Sequence, residues 1–141
     1  MDDIRSIEVT NEVSKISKIP EIRIVMTQLQ REMAKSKGIV MDGRDIGTTV
    51  LPDAEYKFYL TANLKERAIR RYREMMQRGQ NVTLEQIEKD IMARDFQDKM
   101  RDFSPLKVAE DAVIIDTTNR TILQVVEEII DRIKWGEDIV L

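Results

Sequence analysis

Gly38-Ile39-Val40-Met41-Asp42-Gly43-Arg44-Asp45-Ile46-Gly47-Thr48 begins with a short apolar run, passes through an acid, and continues into a glycine-punctuated turn that carries Arg44 and Asp45. That order predicts a buried parallel strand over 39–42 delivering charged groups at its carboxyl end, where open α/β sheets bind ligands. An acid there can hold a metal ion or its water shell beside phosphates. An arginine next to it can fork onto phosphate oxygens, so the pair points to phosphoryl chemistry. The same residue types also suit a surface turn in which Asp42 and Asp45 bond their own backbone and Arg44 is solvated.

Upstream, Ile4, Ile7, Val13, Ile16 and Ile19 fall mostly at three- and four-residue steps, which predicts a helix with one buried stripe that Pro20 ends. Pro20 also suits the first turn of a second helix, with Ile22, Val25 or Met26, Leu29 and Met33 as its stripe, running to about Ser36 and closed by Gly38. Ser14 and Arg23 lie in these helices, and neither stands out by residue type from a solvated polar position.

Downstream, residues 48–54 read as a loop and Tyr56–Leu60 as a second strand. Asn63 and Glu66 form a capping box for a helix over Leu64–Arg78, with Gly79 in the terminating position. Arg67, Arg70 and Arg71 share a face of that helix. They suit a polyphosphate clamp, and equally a solvent face paired with Glu66 and Glu74.

A second capping box, Thr83 with Gln86, opens a helix from Leu84 to about Arg101 whose apolar positions are Ile87 and Ile91. The same face then turns polar, with Arg94, Asp98 and Arg101 at i, i+4 and i+7, where a buried stripe would continue. An exposed Arg-Asp-Arg ladder explains that spacing as readily as a binding site does. Ala112–Asp116 reads as a third strand, and Thr121 with Gln124 caps a last helix carrying Ile122, Val125, Val126, Ile129, Ile130 and Ile133. Strand–helix alternation predicts an α/β fold with a parallel sheet and right-handed crossovers.

Composition narrows the chemistry. The 141 residues, 42% of them apolar, suit one domain with one core. The formal net charge is −3 with both signs interspersed, so there is no basic field to hold a nucleic-acid polymer. With neither cysteine nor histidine in the chain, disulfides, thiolate nucleophiles, imidazole bases and the usual zinc sites are excluded, and any acid–base or metal role falls to Asp and Glu. No apolar run approaches the roughly 20 residues of a membrane span, so a cytoplasmic protein without a membrane partner is expected.

Four motifs together carry a resemblance: Asp42-Gly43-Arg44-Asp45-Ile46-Gly47-Thr48, the Arg94-Asp95-x-x-Asp98-x-x-Arg101 spacing, Ser104-Pro105-Leu106 and Asp116-Thr117-Thr118. In these the chain, from about Val9 to Ile130, resembles the bacterial cytidylate kinases, nucleoside monophosphate kinases of the P-loop NTPase-like fold. The resemblance implies transfer of the ATP γ-phosphoryl group to CMP or dCMP with magnesium. It implies that Ser14, Arg23 and Asp45 read cytosine, that Arg94 and Asp98 hold the ribose, and that Arg44 and Arg101 grip the acceptor phosphate. Asp42 would lie near the Mg2+, through water, and Arg67, Arg70 and Arg71 would belong to a lid over ATP. Phe96, Gln97 and Lys99 depart from the charged residues often found in relatives.

The resemblance also implies an organisation within one domain. Residues 1–37 would form a helical part of the monophosphate-binding region, 38–62 with 104–141 the core, and 63–103 the lid and substrate-binding helices. No G-x-x-x-x-G-K-[ST] loop occurs in the sequence, although the family opens with one. The expectation is therefore a parallel sheet with flanking helices, incomplete at its amino-terminal end. Such a chain would be inactive alone and would need the absent segment, or self-association, to complete the sheet. The rival expectation is a non-catalytic CMP-binding or helical interaction module.

Overall fold

The structure, a computed structural model, describes residues 7–36 and 38–137. The expected helix start at Ile4 lies outside these residues. The chain divides into two compact units, one holding residues up to Asp53 with Phe96–Lys107, the other Ala54–Asp95 with Val108 onward.

In the first unit, α1 spans Ile7–Ile16 and α2 spans Pro20–Ala34. Pro20 sits at the start of α2, where its missing N–H is no loss, and Glu21 in the first turn and Arg31 in the last complement the helix dipole. The expected apolar stripes exist but are not buried. Val13, Ile16, Ile22, Val25, Met26, Leu29 and Met33 are all exposed. Periodicity shows which face is apolar, and burial additionally requires something to cover it, which no described residue does for α2.

The strand expected over 39–42 is absent. Residues 39–42 have no regular structure, and Val40 is 97% exposed. A strand is stabilised by the ladder to its neighbour, and the described residues contain only one two-stranded sheet, built from other segments. The loop expected over 48–54 is partly helical. A π-helical turn spans Ile46–Val50, in which the Asp45 carbonyl accepts from Thr49 N–H (2.9 Å) and Val50 N–H (3.1 Å). Gly43 lets Ile46 pack closely, because a Cβ on it would lie 2.9 Å from Ile46 Cγ1 and that side chain would have to shift.

The second unit holds β1 (Phe58–Thr61), α3 (Leu64–Gln77), most of α4 (Leu84–Lys99), β2 (Val113–Asp116) and α5 (Ile122–Glu137). β1 and β2 pair in parallel, Phe58 with Val113 through Thr61 with Asp116, as the strand–helix alternation predicts. β1 begins two residues later than expected, where the Lys57 carbonyl accepts the first ladder bond from Val113 N–H. Ile115 is 1% exposed, and Ala68, Met75 and Ile87 form a core between α3 and α4 with Tyr72, Val82, Leu84 and Ile91 against it. The aliphatic step Ile87–Ile91 therefore faces inward, as its spacing predicts.

The three capping boxes are realised unequally. Thr121 and Gln124 bond each other's backbone N–H reciprocally. Asn63 accepts from Glu66 N–H at 2.7 Å, but its own N–H goes to Thr118 Oγ1, and the Glu66 carboxylate turns to Arg70. Thr83 likewise accepts from Gln86 N–H, while the Gln86 amide donates to Asp90. Among the described residues no helix is long and apolar enough to cross a membrane.

Candidate functional site

Asp98 is the centre of the first unit's polar cluster. It is 8% exposed, and a carboxylate buried that far is stable only when charged partners hold it. Arg44 Nε donates to Asp98 Oδ2 at 3.0 Å, and Arg101 Nη1 stands 3.5 Å from Asp98 Oδ1. The Asp98 carbonyl accepts from Leu106 N–H at 2.7 Å, so the Ser104-Pro105-Leu106 loop, with Ser104 at φ +50°, folds back onto the end of α4.

Arg101 was expected inside the helix. It lies two residues past α4, where a cation also meets the negative end of the helix dipole. Its side chain is 11% exposed. Arg101 Nε and Nη2 are nevertheless buried and donate to no protein acceptor. Two orphaned charged donors cost on the order of 1–3 kcal/mol each, unless an anion sits against them. A phosphate offers the oxygens such a fork fits.

Next to Arg44 in the chain, Asp45 forms an ion pair with Arg23 of α2, both side chains almost buried. Arg23 Nη1 also reaches the Ser17 carbonyl at 3.3 Å, and its Nε is buried without an acceptor. The structure thus brings five of the expected residues, Arg23, Arg44, Asp45, Asp98 and Arg101, into two ion-paired groups joined by adjacent positions. Asp42, two residues before Arg44, is exposed. The side chain of Ser14 lies outside the described residues. Arg94 is exposed on α4, one turn before Asp98, and belongs to the second unit.

The α3 arginines do not point at one common centre. Arg67 makes a two-pronged bond to Asp95, 3.1 and 2.6 Å, and that carboxylate raises the guanidinium's pKa further above its ordinary value. Arg70 binds Glu66, the Thr117 hydroxyl (2.9 Å) and the Thr117 carbonyl (2.5 Å), and Arg71 binds Glu74. Of the carboxylate partners the sequence offered, Arg70 takes Glu66 and Arg71 takes Glu74, whereas Arg67 takes Asp95.

Three further residues matter here: Thr117 and Asp95 stood in the sequence motifs without a role of their own, and Arg31 gave no signal. Thr117, 8% exposed, accepts from Arg70 and donates to the Thr61 carbonyl, locking the ends of both strands to α3. Asp95 is the partner of Arg67. Arg31, in the last turn of α2, donates to the Val50 and Thr49 carbonyls, 2.9 and 2.7 Å. Mid-helix charged residues look solvated until their partners, 18 to 47 positions away, are known.

A magnesium ion usually keeps several waters and takes one or two carboxylates plus nucleotide phosphates. The exposed Asp42 fits that mode. The described residues contain no group of three or more acidic side chains that would bind the ion unaided.

Comparison with known proteins bears on the family of the chain. A family model described as cytidylate kinase matches residues 1–135. A curated cytidylate kinase of Desulforamulus reducens is 55% identical over 135 residues, covering 96% of this chain and 61% of the relative. One from Clostridioides difficile is 48% identical over 132 residues, covering 94% and 61%, and one from Streptococcus pneumoniae is 56% identical over 126, covering 89% and 56%. The chain thus spans about 60% of the length of the curated relatives it matches. With nearly all of its own length inside the family model, and with the motif residues Arg44, Asp98 and Arg101 gathered in space, the chain belongs to the cytidylate kinase family.

Proposed function

We propose that this chain supplies the acceptor side of a CMP kinase, holding CMP or dCMP while the γ-phosphoryl group of ATP is transferred to it. The observation that carries the reading is the Arg44–Asp98–Arg101 cluster with two orphaned, buried donors on Arg101. Arg44 and Arg101 bind the acceptor phosphate, and Asp98, which already orients both, holds the ribose together with Arg94. Arg23, Asp45 and Ser14 read the base. A carboxylate at Asp45 accepts from the exocyclic amine of cytosine, whereas uracil presents an oxygen there and is repelled.

An oxygen of the acceptor phosphate bonds to the γ-phosphorus as the bond to the bridging oxygen breaks and ADP leaves. The reaction needs positioning and charge neutralisation more than a base, which suits a site of arginines and aspartates. Mg2+, when bound with ATP, neutralises developing charge, and Asp42 would hold it through water. Arg67, Arg70 and Arg71 are the lid candidates for ATP, and each would exchange its present partner to reach it. The exposed apolar stripe of α2, and the segment over 39–42 that finds no strand partner, are the surfaces on which the sheet would be completed. Completion would come from the part of the fold that the relatives carry beyond the matched length, or from a second copy. Alone, the chain would bind CMP without phosphorylating it, and its place of action would be the cytoplasm.

Calorimetric titration with CMP and UMP tests this. CMP is expected to bind more tightly than UMP. Equal affinities, or no binding of either, would favour the rival reading of a helical interaction module.

A further inference from the structure

The turn that carries Asp45 is held at both ends by one helix. At its start, the Asp45 carboxylate is paired with Arg23 of α2. At its end, Arg31 of α2 donates from Nε to the Val50 carbonyl at 2.9 Å and from Nη2 to the Thr49 carbonyl at 2.7 Å. Arg23 and Arg31 are eight residues apart, about 12 Å along the helix axis. Between these two anchors lies a π-helical turn, Ile46–Val50, whose first bonds all return to Asp45. Thr49 N–H and Val50 N–H donate to its carbonyl, and Thr48 Oγ1 lies 3.4 Å from it. Val50 itself is 2% exposed, so the far end of the turn is fixed by packing as well. Turns of this kind are rare and frequent at functional sites, and their last carbonyls have no partner within the turn.

We propose that Arg31 is a positioning residue for base selection, fixing the register of the Ile46–Val50 turn on α2 so that Asp45 and Arg23 present one fixed edge to the base. This rests on the reading of Asp45 and Arg23 as the cytosine-recognising pair. Arg31 touches no substrate. Its planar fork spans two successive carbonyls, which a lysine ammonium, a single point of charge, cannot do to the same degree. Without the fork, the Thr49 and Val50 carbonyls lose their donor and the far end of the turn is held only by the packing of Val50. The carboxylate then samples positions from which cytosine and uracil are no longer told apart. The phosphate grip is built separately, on Asp98, and is untouched.

The test compares the wild-type chain with Arg31→Ala and Arg31→Lys by calorimetry against CMP, UMP and ribose 5-phosphate. Arg31→Ala is expected to lower the CMP-over-UMP affinity ratio about tenfold while ribose 5-phosphate affinity stays within about twofold, with Arg31→Lys between it and wild type. An unchanged ratio in folded Arg31→Ala overturns the proposal, as does a parallel loss for all three ligands, which marks general loosening. If Arg31→Ala fails to fold, the ratio in Arg31→Lys decides in the same way. A wild-type chain that does not prefer CMP fails the proposed function itself, before Arg31 is altered, so the two failures are distinguishable.

Discussion

Arg101 holds two buried nitrogens with no acceptor, beside a carboxylate already shared with Arg44. Arg101→Gln is therefore expected to weaken CMP and ribose 5-phosphate in parallel, by at least about tenfold, because a charge-assisted fork onto phosphate is lost. Calorimetry reads this directly. In the completed enzyme, Asp98→Ala and Arg94→Ala are expected to raise the KM for CMP, and Arg44→Ala to lower kcat more than it raises KM. Steady-state kinetics in which all three variants keep wild-type constants would remove these roles. Thr117 belongs to the frame instead. Thr117→Val takes away the hydroxyl that Arg70 donates to and that itself donates to Thr61, and is expected to cost about 1–3 kcal/mol in denaturant unfolding, the usual penalty for an orphaned buried partner.

At the scale of elements, the helices were largely legible in the sequence because their signals are local. Pro20, Asn63, Thr83 and Thr121 start α2, α3, α4 and α5 within a residue of where their chemistry places them, and Gly79, at φ +70°, follows the end of α3. A Cβ at Gly79 meets nothing within 4 Å, so Gly79→Ala is expected to cost only the backbone penalty of a left-handed residue, about 1 kcal/mol. Strands were less legible. The 39–42 run has strand composition, yet a strand is a relation between two segments, and its apolar residues report only a preference. The second unit also carries three carboxylates held below their ordinary pKa: Asp111 by Lys57, Asp116 by Thr118, and Glu128 by Arg120. All three release protons more readily folded than unfolded, so their contribution is present above the unfolded values and lost as pH falls through the folded ones. The unit's thermal midpoint is expected to stay level from neutrality to about pH 4.5 and to fall below it, a profile that circular dichroism follows.

For the molecule as a whole, the exposed residues carry as much information as the buried ones. Ile22, Val25, Met26, Leu29 and Met33 of α2, and Ile114 of β2, are exposed in a chain that spans about 60% of its relatives' length. Apolar faces of that extent associate, so sedimentation velocity at increasing concentration is expected to show a rising mass. A monomer at all concentrations with a sharp unfolding transition would show that the chain needs no completion. The candidate residues were legible as spacing, Arg94-x-x-x-Asp98-x-x-Arg101, and as the Asp42–Thr48 motif, of which the ion-paired cluster takes in Arg44, Asp45, Asp98 and Arg101. What sequence left open was whether the two meet, and the Arg44–Asp98 bond, across 54 positions, joins them. The most direct measurement of that meeting is a titration followed by the 15N resonances of the arginine Nε–H groups, since those of Arg101 and Arg23 are buried without acceptors. Both are expected to shift with CMP, only Arg101 with ribose 5-phosphate, and only Arg23 with cytidine. If CMP moved neither, or if phosphate and base disturbed the two without distinction, a single nucleotide site built from these residues would be contradicted.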